Sequence, residues 1–172
     1  AACYGGDLLT VKALLLRGTD ADSMAGTGCD MTTALYAACR GGHVGIASVL
    51  LRAGAKINKR SGDMNLPLHA ACREGHVLVV VLLLRHERLH VNGVTGRGVT
   101  SLYIACHLGH LEVVELLLRH DSIGDVNRAC ENGATPLYMA CGKGSRAVVE
   151  LLLRHDGIDV NQACEDGATP LH

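Results

Sequence analysis

Cysteine and histidine recur at a fixed interval along this chain. CRGGH at 39–43, CREGH at 72–76 and CHLGH at 106–110 each place a His four residues after a Cys. A thiolate and an imidazole together suit zinc, and a Cys beside a His is the pair a thiol nucleophile needs. Neither chemistry is completed. Each segment supplies two ligands where a structural zinc site takes about four, and no Cys-x-x-Cys occurs anywhere. CGKGS at 141–145 lacks the G-x-x-x-x-G-K-[ST] order of a phosphate-cradling loop. Ser, His and Asp are plentiful, but every candidate falls at a repeated position and none is left over to converge on a pocket. The expectation is a non-enzymatic chain with no catalytic, cofactor-binding or metal-ligating residues and no cofactor.

The elements that carry these residues repeat as well. TALY at 33–36, LPLH at 66–69, TSLY at 100–103, TPLY at 135–138 and TPLH at 169–172 end on residues 33, 34, 35 and 34 apart. From Tyr36, His69, Tyr103 and Tyr138 to the ends of the aliphatic blocks at Leu51, Leu84, Leu118 and Leu153, the separation is always 15. From those leucines to Asn58, Asn92, Asn127 and Asn161 it is 7, 8, 9 and 8, and from each Asn to Asp63, Arg97, Asn132 and Asp166 it is 5. Length variation is thus confined to one loop per period. A period of this size points to a solenoid of stacked supersecondary units.

Thr135-Pro136 offers an N-cap hydroxyl and a preset φ for a first helix of about two turns, which Gly ends in GKGS, REGH and HLGH. The second helix, LEVVELLLRH at 111–120, is apolar over most of its circumference and needs cover on more than one side. Helices this short are marginal alone, so neighbouring repeats must supply that cover. DVNRACENGATPL, which follows, is rich in turn formers and reads as an extended finger.

With these blocks in place, NGATPLYMACGKGSRAVVELLLRHDGIDVNQA closely resembles the ankyrin repeat, through its D-G-x-T-P-L-H, A-A-x-x-G-H and V-x-L-L-L…D-V-N pattern. The resemblance covers the whole chain and implies an all-α repeat solenoid. Each repeat would contribute two antiparallel helices and a β-hairpin finger to a curved, elongated array. Residues 1–172 then form a single ankyrin repeat domain: a partial repeat with a long finger at 1–29, repeats at 30–62, 63–96, 97–131 and 132–165, and the start of a truncated repeat at 166–172. On this reading the chain is an excerpt of a longer array, truncated at both ends. Tyr36, Tyr103 and Tyr138 stand where the family has His, and a phenol does not carry over the imidazole's hydrogen bond near the Thr. Leu66 replaces the Thr and Met64 the Gly of the 63–96 repeat, which predicts a local soft spot worth about 0.5–2 kcal/mol of lost capping.

Cys3, Cys39, Cys72, Cys106 and Cys141 all take one small-residue position between helices, where a thiol acts as a slightly larger Ala. Packed helices lie roughly 8–10 Å apart, too far for disulfides, whose Cα atoms lie within about 7 Å. The chain is therefore expected in a reducing, intracellular compartment, cytoplasmic or nuclear. Cys29, Cys130 and Cys164 fall in the fingers and are expected to be exposed and open to modification.

Sixteen basic against 17 acidic side chains, and four Tyr as the only aromatics, give neither a basic field nor stacking platforms for nucleic acid. The longest apolar run, VLVVVLLL, is far short of the roughly 18 residues of a membrane span. What the resemblance implies instead is a protein–protein interaction module or scaffold. It would grip partner proteins with its fingertips (Arg60, Asp63, Asn65, Arg97, Val99, Glu131 and Asn132) and with the exposed ends of its first helices (Arg40, Arg73, Glu74, His107, Leu108, Gly142 and Lys143). The alternative is a regulatory or targeting segment of a larger enzyme, of kinase or ubiquitin ligase type. The resemblance also makes the finger Asn127 and Asn161 candidates for hydroxylation. Solenoid ends without polar outer faces, around Leu8–Leu15 and Leu151–Leu153, predict self-association through those ends.

Overall fold

The computed structural model describes residues 2–26 and 31–170, with Tyr4 by its backbone alone. Cys29, placed in a finger above, and the closing Leu171 and His172 lie outside the described residues. The chain forms two compact units, at residues 1–90 and 91–172.

In the first unit, helices alternate in pairs: α1 (Ala2–Gly5) with α2 (Leu8–Leu16), α3 (Ala34–Arg40) with α4 (Val44–Arg52), and α5 (Pro67–Glu74) with α6 (Val77–Leu84). The first helices pack in one row, α1 on α3 and α3 on α5, and the second helices in another, α2 on α4 and α4 on α6. The second unit repeats the plan with α7 (Ser101–Leu108), α8 (Leu111–Leu118), α9 (Pro136–Gly142) and α10 (Arg146–Leu153). There α7 packs on α8 and α9, and α10 on α8 and α9. This is the helical repeat array that the period predicts.

Small residues let the first helices approach closely. Ala38, Cys39, Ala71, Cys72, Ala105 and Cys106 are fully buried, and burial pushes the Cys39 and Cys106 thiols far above the usual range. The described cysteines are free thiols. The second helices fill the gap between rows with Ile46 and Leu50, Val79, Val80 and Leu83, Val113, Val114 and Leu117, and Val148 and Leu152. In α6, apolar at every position, Leu78 alone points to solvent, at 70% exposure. Leu9, Leu14 and Leu16 on α2 and Leu153 on α10 are also exposed, which matches the apolar exposure expected on these helices.

Helix starts follow the chemistry read from sequence. Thr33, Thr100 and Thr135 each accept, through the side-chain oxygen, the N–H of the residue three on, at 3.1 Å. Leu66 has no oxygen to offer. At α5 only the reverse bond forms, with the Leu66 N–H donating to His69 Nδ1 at 3.1 Å. Glycine in the left-handed region closes the turn between helices, as at Gly42 (φ 72°) and Gly109 (φ 74°). A Cβ on Gly42 would sit 2.8 Å from the His76 ring, whose Nε2–H donates to the Arg40 carbonyl at 3.0 Å. This His therefore ties one repeat's turn to the previous one.

The fingers are less sheet-like than hairpins. β1 (Met24–Ala25) and β2 (Thr32–Thr33) pair antiparallel over two residues each, and Val94 and Thr100 form a single bridge. Elsewhere a finger is a tight turn: Cys130 N–H donates to Ala134 O at 3.1 Å and Gly133 N–H to Cys130 O at 2.9 Å.

Candidate interaction surface

Within each unit, adjacent fingers are held by side chains and backbone that the repeat register brings together. Asn58 donates to the Arg88 carbonyl at 2.6 Å and accepts the His90 N–H at 2.9 Å. In the second unit Asn92 does the same to Ser122 and Gly124, and Asn127 to Gly157 and Asp159. Each Asn is a two-point clamp on the next repeat's variable loop, which explains the constant spacing around it. Asp22, at the same position, accepts the Lys56 N–H at 2.8 Å, and Lys59 Nζ donates to its carbonyl at 2.6 Å. Fingertips also meet directly, Gly62 N–H donating to Met31 O at 2.6 Å and Glu165 N–H to Asn132 O at 3.2 Å.

The tyrosines join the first helices to these fingers. Tyr36 reaches Ser61, Tyr103 reaches Cys130, and Tyr138 reaches Cys164, all three partners lying two residues before a repeat boundary. The phenols thus make a different bond from the imidazole they replace. Burial, and then the Cys130 thiol, push the Tyr103 phenol far above its usual range. At Tyr138 the Cys164 thiol comes first. Cys130 and Cys164 are consequently half-buried, and the Cys130 thiol donates to Asn132 Oδ1 at 2.7 Å. This corrects the expectation that both are exposed.

In the first unit the proposed contact residues divide. Arg40, Arg73 and Glu74 are exposed at the ends of α3 and α5, with Arg40 and Glu74 in a loose 3.9 Å ion pair. Asp63 is exposed, and Arg60 is half-buried and donates to the Met64 carbonyl. Asn65 is not a fingertip residue. It is 7% exposed, with its amide nitrogen donating to Asp63 and its Oδ1 buried without a hydrogen-bond partner among the described residues. It stands where Ala134, buried in a later repeat, stands, and that register was the signal available in the sequence.

In the second unit Arg97, Glu131, Asn132, Gly142 and Lys143 are exposed, and Val99 and His107 are half-buried. The His107 ring lies parallel to that of Tyr103, with centroids 6.4 Å apart and planes within 7°. Burial first and then the Lys143 charge lower its pKa, favouring the neutral ring. Leu108, beside it, is 45% exposed. Gly142 is helical and a Cβ there would meet nothing within 4 Å. Tyr103 and Tyr138 are half-exposed on the same two helices; their repeat position was marked in the sequence, but they were not read there as contact residues.

Among the described residues no three His, Cys, Asp or Glu side chains gather as a metal site would require. No helix among them is long and apolar enough to cross a membrane. A family model described as ankyrin repeats in three copies matches residues 1–94, 50–129 and 122–172. A search of curated proteins found no match.

Proposed function

Because the chain belongs to the ankyrin-repeat family, whose repeats serve generally as protein-interaction modules, we propose that it binds partner proteins without catalysing a reaction. The contacts come from its fingertips and first-helix ends. In the first unit these are Arg40, Arg60, Asp63, Arg73 and Glu74. In the second they are Arg97, Val99, His107, Leu108, Glu131, Asn132, Gly142 and Lys143. Packed free thiols fit a reducing compartment inside the cell.

One observation carries this reading. Glycine inside a helix is usually there for a left-handed φ or for a close neighbour, and Gly142 has neither. It leaves open space at the end of its helix, next to Lys143, and the neighbouring helix ends in the exposed Leu108. An apolar side chain flanked by polar groups, at a place with room for a partner's backbone, is how the centre of an interface is built.

The test is to select binders of the whole chain from a displayed peptide library and measure them against Leu108→Asp and Lys143→Glu. Binding should fall at least about tenfold, the cost of one central contact, with the melting temperature unchanged. Undiminished binding by both variants would refute this surface.

A further inference from the structure

Two Asn-Gly dipeptides occur in the chain, Asn92-Gly93 and Asn132-Gly133. In such a pair the backbone nitrogen that follows the asparagine can attack its side-chain carbonyl, because glycine has no side chain to block the approach. The fold treats the two differently. Asn92 Nδ2 donates to Ser122 O at 2.8 Å and its Oδ1 accepts the Gly124 N–H at 3.0 Å, so its amide is pinned to a neighbouring loop. Asn132 is exposed at a fingertip. Its Oδ1 accepts from the Cys130 thiol at 2.7 Å and from the Ala134 N–H at 3.3 Å, and its Nδ2 makes no hydrogen bond among the described residues. Two donors on the oxygen draw electrons from Cγ, and the leaving nitrogen is unrestrained.

We infer that Asn132 is a self-modifying site, where the fingertip amide is converted to a carboxylate by deamidation, while the clamp on Asn92 holds that residue back. Gly133 N attacks Asn132 Cγ, the new N–Cγ bond replaces Cγ–Nδ2, and ammonia leaves with the proton from Gly133 N. Water then opens the five-membered imide at one of its two carbonyls, giving aspartate or isoaspartate. Water is the only co-reactant and no oxidant is involved. The attack requires the Gly133 N–H to leave Cys130 O, a single turn bond, whereas Asn92 must first break both clamp bonds.

The product has a seat already made for it. Asp63 occupies the same repeat position, and its carboxylate accepts from Ser61 and from the Asn65 N–H just as Asn132 accepts from Cys130 and the Ala134 N–H. Asp166 occupies the position in the next repeat. The isoaspartate product instead lengthens the backbone at Asn132, whose carbonyl holds the Glu165 N–H of the adjacent finger. Conversion adds a negative charge beside Glu131 and so changes which partner charges the fingertip accepts.

The experiment incubates the whole chain at mildly alkaline pH, folded and in denaturant, and follows the mass gain of both dipeptides in digests. In the folded chain Asn132 should convert at least about fivefold faster than Asn92, since the latter must break two clamp bonds where the former breaks one turn bond. In denaturant the two rates should become similar. Equal rates in the folded chain, a faster Asn92, or no conversion of folded Asn132 where the unfolded chain converts, would each overturn the inference. Asn132→Asp should melt at the parent temperature, and a large loss of stability would show that the carboxylate has no seat.

Discussion

Met64 puts a side chain on a backbone position held elsewhere by Gly98, Gly133 and Gly167, and all four have positive φ, 63° at Met64. A left-handed backbone costs a residue with a Cβ roughly 1–2 kcal/mol, part of which glycine gives back as unfolded-state entropy. Since Met64 is 50% exposed, little packing is lost with it. Met64→Gly should therefore stabilise the chain by about 0.5–1 kcal/mol in denaturant titrations. Next to it, burial raises the Asp63 pKa, but hydrogen bonds from Ser61 and Asn65 outweigh this and hold the carboxyl below its usual range. A carboxyl lowered by folding contributes stability above its unfolded pKa and loses it as pH falls through the folded value. Asp63→Asn should accordingly lower stability in the neutral region and flatten the stability-versus-pH curve below about pH 4, where the two chains converge. At this scale the sequence was least legible. Asn65 was placed at a fingertip by the ankyrin resemblance and proves to be buried, and Cys130 and Cys164 prove half-buried, each bonded to a tyrosine. Where a turn aims its side chains depends on bonds between repeats, which residue type alone does not reveal.

Whole elements are a different matter. A hydroxyl at Thr33, Thr100 and Thr135, a glycine after each first helix and an aliphatic block fix helix positions within the repeat almost residue by residue. The Asn clamp was legible as a spacing but not as a contact. The constant five residues from each Asn to the next boundary mark a register, yet the loop it grips is the variable one. Asn127→Ala removes two hydrogen bonds to backbone and should cost about 2 kcal/mol. Asn127→Asp keeps the acceptor and should cost less, and comparing the two unfolding midpoints separates the bonds. For α5, whose start has the His69 bond but no oxygen cap, amide exchange in the first turn should be faster than in α7 or α9. Equal protection would mean that burial of Leu66, 3% exposed, fully replaces the cap.

At the scale of the molecule, each unit has an inside of small residues and aliphatic helices and an outside of loops, so surface is what the chain has to offer. Family membership follows from the repeated sequence blocks and the family match along the chain. Which surface residues matter does not, because exposed positions can vary without disturbing packing, and their spacing therefore carries little signal. Two surfaces compete for a role. Leu9, Leu14 and Leu16 on α2 predict weak self-association, which light scattering over a concentration series would detect and Leu9→Glu with Leu16→Glu would suppress. The fingertips and first-helix ends predict partner binding. Hydrogen exchange of the whole chain with and without a selected peptide tests that central claim most directly. The account predicts protection at the ends of first helices, residues 107–109 and 142–144, and at the fingertips 97–99 and 131–133. Protection confined to the second helices α8 and α10, with those segments unchanged, would contradict it.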